Sequence, residues 1–162
     1  MHTEGISYRL SSQLIDVDRQ GNKWFAGRGY GIWKFDGINF FSYNTVNKGS
    51  PYDQINALFI NSMGIKWFGV QSGVLKLEDT TCTAYSTSKL VNDYVYEKTE
   101  DANGYKWFAT LGGVSRFDVT NWIKYTNSNS GLVNNNVISM AIDKKGYKWM
   151  GTLNSGISEF QK

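Results

Sequence analysis

The stretch Gly64-Ile65-Lys66-Trp67-Phe68-Gly69 occurs in four versions along the 162-residue chain. Each version reads Gly-x-Lys-Trp, followed by Phe or Met and then by Gly or Ala. The tryptophans are Trp24, Trp67, Trp107 and Trp149, and successive ones lie 43, 40 and 42 residues apart. A period of this length is typical of repeat proteins, and four short strands fit into one unit. The chain is therefore predicted to be a repeat protein of four units.

A four-residue turn leads into each tryptophan motif. Asp or Asn opens the turn, where its side chain can accept hydrogen bonds from the backbone two residues on. Gly closes the turn, because a positive φ costs glycine little. The opening residues are Asp18, Asn61, Asp101 and Asp143. Each motif is therefore predicted to be the second strand of a hairpin.

Apolar residues alternate before and after each motif and predict three further strands per unit. The fourth strand is aromatic and lies eight residues beyond the end of the third, as Tyr125 does after Phe117. The chain ends before the last unit reaches its fourth strand, and residues 6–9 resemble that missing strand. Its pairing there would remove an open sheet edge.

These patterns predict an all-β fold, a β-propeller built of four-stranded antiparallel blades, with four repeats per chain. Residues 1–162 would form a single propeller domain or part of one. The blades are expected at about 12–44, 54–86, 93–126 and 136–162, with the strand at 6–9 added to the last.

Composition limits the possible partners. The net charge of +3 comes from 17 basic and 14 acidic residues without a run of like charge, so no nucleic acid partner is expected. The sequence has no long apolar run, so direct membrane insertion is not expected either. Cys82 is the only cysteine, and its position within an apolar strand favours a packing role.

The predicted strand order places two kinds of connection on one face: the turn between the second and third strands, and the linker to the next unit. Both are rich in Asn, Ser and Gly. Amides and hydroxyls beside aromatic rings suit an oligosaccharide or another neutral polar ligand. The alternative is that these are ordinary loop residues. The candidate ligand-binding residues on this face are Arg28, Tyr30, Gln71 and Asn154.

The first strand of the third unit breaks the apolar pattern with Glu97, Lys98 and Glu100. First strands line the central channel of a propeller, so these charges could meet a ligand or a partner there. The alternative is that the charges pair locally with one another. We include all three residues among the candidate site residues and leave both interpretations open.

No catalytic or metal-binding constellation is evident. His2 is the only histidine, and no spacing links it to a nucleophile. No cluster of metal-ligand spacing occurs, so neither a metal nor another cofactor is expected. A protein that binds without catalysis is therefore predicted.

Three segments together resemble the two-component regulator propeller repeat: the linker 129–137, the strand Val137–Asp143, and the motif Trp149–Thr152 with Gly156 and Ile157. Lys before Trp departs from the aliphatic residue that is more usual there. The resemblance implies an extracytoplasmic, typically periplasmic, sensor domain of a hybrid two-component regulator. Such domains often detect glycan fragments and belong to much longer arrays of repeats.

The leading function is thus a ligand- or protein-binding sensor module, periplasmic or extracellular by resemblance. A structural interaction scaffold is the alternative, and a propeller lyase or glycoside hydrolase comes third. A monomeric ring of four blades would be at the lower limit for propellers. We therefore expect a homo-oligomer in which two chains close one eight-bladed ring.

Overall fold

The computed structural model describes residues 14–27, 31–43, 55–86 and 88–161. Within these residues the chain forms fifteen strands and no helix. The strands are β1 Leu14–Val17, β2 Lys23–Gly27, β3 Gly31–Phe35, β4 Phe40–Tyr43, β5 Ile55–Ile60, β6 Lys66–Val70, β7 Gly73–Glu78, β8 Thr81–Tyr85, β9 Val95–Glu100, β10 Lys106–Thr110, β11 Gly113–Phe117, β12 Trp122–Tyr125, β13 Val137–Ile142, β14 Lys148–Thr152 and β15 Ile157–Phe160.

The strands form four antiparallel sheets in chain order, which we call blades 1 to 4. Blades 1, 2 and 3 are β1–β4, β5–β8 and β9–β12, and blade 4 is β13–β15. The predicted all-β class and the blade of four antiparallel strands are confirmed. The predicted strand at 6–9 lies outside the described residues.

The first strands of the blades run beside one another, β1 with β5, β5 with β9, and β9 with β13. Each blade therefore stands next to its successor, with its first strand innermost. Among the described residues, no helix is present that could cross a lipid bilayer.

The turn before each motif is tied to the tryptophan that follows it. Asp101 Oδ1 accepts from the backbone N–H groups of Asn103 and Tyr105 at 3.0 and 3.1 Å. Its Oδ2 accepts from the indole Nε1–H of Trp107 at 2.9 Å. Gly104 closes the turn at a φ of 78°, a conformation that favours glycine. The carboxylate thus fixes both the turn and the orientation of the indole ring.

Blade 2 departs from this arrangement, because Asn61 replaces the aspartate. Asn61 Oδ1 still accepts from the backbone of Met63 and Ile65, at 3.0 and 2.8 Å. The amide nitrogen Nδ2 and the indole Nε1 of Trp67 are both buried and make no hydrogen bond in the described part of the chain. Both atoms are donors, so neither can satisfy the other.

The core lies between blades, in three apolar clusters. The first joins Trp24 of blade 1 to Phe68 and Leu77 of blade 2. The second joins blades 2 and 3, and the third joins blades 3 and 4. Within the described ranges, none of these clusters joins blade 4 to blade 1. Each blade is therefore stabilised mainly by its neighbours.

Candidate functional site

The linkers and the hairpins between second and third strands lie together at one end of the blades, which we call the linker face. Leu111 N donates to Tyr94 O at 3.3 Å, and Leu153 N donates to Asn136 O at 3.0 Å. Asn134 Nδ2 also donates to Ser155 Oγ at 2.9 Å. These bonds bring the linkers before blades 3 and 4 against the hairpin of the blade that follows each of them.

Each described linker is anchored by a buried leucine. Leu90 and Leu132 are buried within the clusters that join blades 2 and 3 and blades 3 and 4. The next residue donates its backbone N–H to a serine of the following blade, Val91 to Ser115 Oγ at 2.8 Å. The equivalent bond in the next repeat, to Ser158, is 3.0 Å long. The linker face is thus a fixed scaffold for polar side chains.

The structure places two of the predicted face residues. Gln71 and Asn154 are exposed and lie in the hairpins of blades 2 and 4. The hairpin of blade 3, at residues 110–113, stands between them, and its turn residues Leu111 and Gly112 carry no polar side chain. Arg28 and Tyr30 lie outside the described residues. A contact of all four with one ligand stays a prediction.

A β-bulge interrupts the first strand of blades 2, 3 and 4 at the same place, next to the linker face. Ile55 and Ala57 pair with Val70 and Gly69, so the register shifts between them and Asn56 is the extra residue of the bulge. The same shift leaves Tyr96 out of the ladder in β9 and Ile138 in β13. Bulges turn side chains out of the regular alternation and are frequent beside binding sites.

The three bulged residues, together with Tyr94, form a set that the sequence pattern did not single out. Tyr96 packs against Tyr94, with ring centroids 4.9 Å apart and planes tilted by 48°. All four side chains of the set are half-buried, so each keeps some surface accessible. We call Asn56, Tyr94, Tyr96 and Ile138 the bulge set. It offers an amide and a phenol ring on the innermost strands, with the phenol ring of Tyr94 directly before β9.

The charged residues of β9 pair with close neighbours. Lys98 Nζ lies 3.5 Å from Glu97 Oε1 and 5.9 Å from the ring centroid of Phe59 in blade 2. Glu100 Oε1 accepts from Ser62 Oγ at 3.1 Å, and its Oε2 lies 3.8 Å from Lys106 Nζ.

Two of these contacts cross from blade 3 to blade 2, so Lys98 and Glu100 lie at the boundary between the blades. The Glu97 side chain is 38% exposed, whereas that of Glu100 is 15% exposed. Of the three charged residues, Glu97 is the one a ligand can reach most easily. Contact of a ligand with any of them stays a prediction.

A concave region lies between blades 1 and 2, at the end of the blades opposite the linker face. It has a volume of about 340 Å³, and its lining includes Asp18, Lys34, Tyr43 and Lys66. Burial raises the pKa of Asp18, but the hydrogen bonds from Trp24, Asn22 and the backbone lower it more, so the net pKa is below its usual value of 3.8. This carboxylate already holds the turn together, which favours a structural role.

The described residues contain no cluster of His, Cys, Asp and Glu that could hold a metal ion. Cys82 lies in β8 and is half-buried. Burial raises the pKa of its thiol, which disfavours the reactive thiolate.

Solved structures share this architecture. The extracellular domain of BT3049, a proposed hybrid two component system from B. thetaiotaomicron, matches with a TM-score of 0.75 and 24% identity. The corresponding domain of BT4673 from the same organism matches with a TM-score of 0.76 and 18% identity. The chain has the β-propeller fold. Both matches cover 91% of this chain, but only 20% and 23% of the larger domains.

A lyase also has this fold. A catalytically inactive His-to-Ala variant of virginiamycin B lyase from Staphylococcus aureus, solved with quinupristin, matches with a TM-score of 0.67 and 20% identity. The match covers 91% of this chain and 54% of the lyase. No protein-family model matches the sequence, and the search of curated proteins found no match. The chain spans about a fifth of the length of the two-component domains and about half of the length of the lyase.

Proposed function

We propose that this chain is a non-catalytic, ligand-binding part of an extracytoplasmic sensor propeller. The observation that carries the proposal is the bulge set, where the same irregularity in three consecutive blades displaces a side chain on the innermost strand. Three bulges at equivalent positions are a repeated feature of the fold. The bulges of blades 3 and 4 lie beside linkers that the buried Leu90 and Leu132 hold in place.

The chemistry of the bulge set favours a neutral oligosaccharide. The phenol rings of Tyr94 and Tyr96 offer a stacking face, and the amide of Asn56 can donate and accept hydrogen bonds. Glu97 follows Tyr96 directly and adds an acceptor for sugar hydroxyl groups. The fold that this chain shares with extracellular domains of two-component systems supports a periplasmic or extracellular location for it.

Thermal unfolding in the presence of a panel of neutral oligosaccharides tests this proposal. An oligosaccharide at 100 times its dissociation constant would stabilise the fold by about 2.7 kcal/mol. Tyr96→Ala should abolish the shift, and Tyr96→Phe should keep part of it because the ring remains.

Tyr147→Ala is the matched control for that experiment. Tyr147 belongs to the turn at the opposite end of blade 4, where its hydroxyl accepts from Gln161 Nε2 at 2.9 Å. This variant should respond to the oligosaccharide as the parent does. The proposal fails if no oligosaccharide stabilises the parent, and the interaction scaffold then becomes the better account.

The shared fold with virginiamycin B lyase motivates a second candidate, an enzyme. That lyase is inactive when a histidine is replaced by alanine, whereas the only histidine here is His2. We therefore expect no conversion of quinupristin by the parent chain, measured by mass spectrometry. Conversion that follows the concentration of the chain would establish the enzyme instead.

A further inference from the structure

Each interior tryptophan is buried by the blade that follows it. The ring of Trp67 in blade 2 lies 5.8 and 5.7 Å, between centroids, from Phe108 and Phe117 in blade 3. Trp107 in blade 3 lies 6.0 Å from Phe160 in blade 4. The second-strand tryptophan of one blade therefore packs against the second and third strands of the next.

In blades 2 and 4 the lysine before the tryptophan lies on the opposite side of the blade. Lys66 Nζ of blade 2 lies 4.8 Å from the ring centroid of Trp24 in blade 1. Lys148 Nζ of blade 4 lies 5.2 Å from the ring of Trp107 in blade 3. Cations at these distances are attracted by the indole ring. In blade 2 the Lys-Trp pair thus links three blades, since Lys66 faces the preceding blade and Trp67 the following one.

Among the described residues, no blade packs on this interface of blade 4. Trp149 is 41% exposed, whereas the other three motif tryptophans are at most 2% exposed. Ile157 on the same face is 69% exposed. A groove of about 240 Å³ lies between them, and Ala141 and Gly151 also line it.

Blade 1 presents the other half of the same interface. Ile15 occupies the position of Leu58 in blade 2, and its exposure is 64% against 5%. Phe25 occupies the position of Phe68 and is half-buried, whereas Phe68 has no exposed surface. Lys23, the equivalent of Lys66, is exposed.

We propose that a second copy of this chain covers these two faces, so that blade 4 of each copy packs against blade 1 of the other. Trp149 then lies on Phe25 and Phe35, as Trp67 lies on Phe108 and Phe117. Lys23 lies over Trp149, as Lys66 lies over Trp24. The contact is head to tail, and two such contacts related by a two-fold axis close one ring of eight blades.

The contacts between blades within one chain are the reason for choosing a second copy of the chain as the partner. The same pairing of faces occurs three times within the described residues, between blades 1 and 2, 2 and 3, and 3 and 4. The two contacts between copies would repeat the pairing of faces that already occurs within each copy. They would bury the apolar side chains of both terminal faces, which monomeric soluble proteins rarely leave open in large patches.

Light scattering coupled to size-exclusion chromatography tests the proposal on the 162-residue chain. The parent should have about twice the monomer mass of 18.3 kDa. Trp149→Lys and Ile15→Lys each place a charge in both contacts of the ring and should each yield the monomer. Ile38→Ser is the matched control and should leave the dimer intact, because Ile38 is 85% exposed in the turn between β3 and β4. Circular dichroism confirms that each variant is folded.

Mixing the two lysine variants separates a head-to-tail contact from a face-to-face one. One variant keeps blade 1 intact and the other keeps blade 4 intact, so a mixed pair has one undamaged contact. Monomers of the two variants should therefore associate when mixed and remain separate alone. A monomeric parent, a species larger than a dimer, or a dimer that persists in either lysine variant would overturn the proposal.

Discussion

Blades 3 and 4 carry the same motif in different surroundings, and the comparison separates local from tertiary effects. In both blades the turn aspartate accepts from the indole, Asp101 from Trp107 at 2.9 Å and Asp143 from Trp149 at 3.2 Å. Trp107 has no exposed surface, yet 41% of Trp149 is exposed. The hairpin therefore fixes the orientation of the tryptophan by itself. Its burial depends on the next blade.

Removing the two tryptophans should show this difference most strongly. Trp107→Ala leaves a large cavity between blades 3 and 4 and should lower the free energy of unfolding by about 3–5 kcal/mol. Trp149→Ala should cost about 1 kcal/mol in the dilute chain, because much of its ring is already in water. Urea unfolding at low protein concentration measures both. Similar costs for the two variants would mean that Trp149 is buried in the monomer.

Adding a methyl group at two equivalent glycines sharpens the same comparison. A Cβ at Gly69, between blades 2 and 3, would lie 3.0 Å from both Ala57 Cβ and Val95 Cγ1. Gly69→Ala should therefore cost about 1–3 kcal/mol by overpacking. Gly151→Ala is its match on the open face of blade 4, where the nearby atom is the hydroxyl of Ser139, which can rotate away. Urea unfolding should show that Gly151→Ala costs less.

Asn61→Asp should create in blade 2 the hydrogen bond from the tryptophan indole to the turn carboxylate that blade 3 has. A carboxylate at this position would keep the two backbone bonds and accept from the buried Trp67 Nε1, as Asp101 does from Trp107. We expect the free energy of unfolding to rise by about 1 kcal/mol. Asp101→Asn is the reverse change in blade 3 and should lower it by a similar amount. A loss of stability in both variants would contradict this account of the turn.

Acid should weaken the turn that the Asp18 carboxylate holds together. Burial raises the pKa of Asp18, but hydrogen bonds from Trp24, Asn22 and the backbone outweigh it, so the net pKa in the folded chain is below 3.8. A group with a lowered pKa stabilises the fold fully above its unfolded pKa and loses that effect as pH falls through the folded value. Urea midpoints measured from pH 5 downwards should therefore drop below about pH 3.8. Asp18→Asn should show a smaller drop.

Much of the fold was predictable because its signals are local. The turn from Asp101 to Gly104 and the spacing of the tryptophans define hairpins that form in every repeat. Asp also precedes Trp by six residues in three repeats, so the indole bond had a visible signal that the turn interpretation did not use. The lysine of the motif showed its role only when the preceding blade was in place.

The candidate site was harder to predict, because it depends on register and on neighbours. A bulge inserts one residue into a strand, and alternation in a six-residue strand such as β9 is too short to reveal it. Tyr96 and Asn56 were missed for this reason. The charges at Lys98 and Glu100 are visible in the sequence as a break in the apolar pattern, but their contacts with Phe59 and Ser62 depend on how two blades pack.

Hydroxyl-radical footprinting of the tryptophans, read by mass spectrometry, tests the central claim most directly. In the dilute chain Trp149 should be oxidised much faster than Trp24, Trp67 and Trp107, because it is the one of the four that no described blade covers. At concentrations where the dimer forms, Trp149 should become as protected as the others. Equal protection of all four tryptophans in the monomeric Ile15→Lys variant would contradict the account, because Trp149 would then be covered within a single chain.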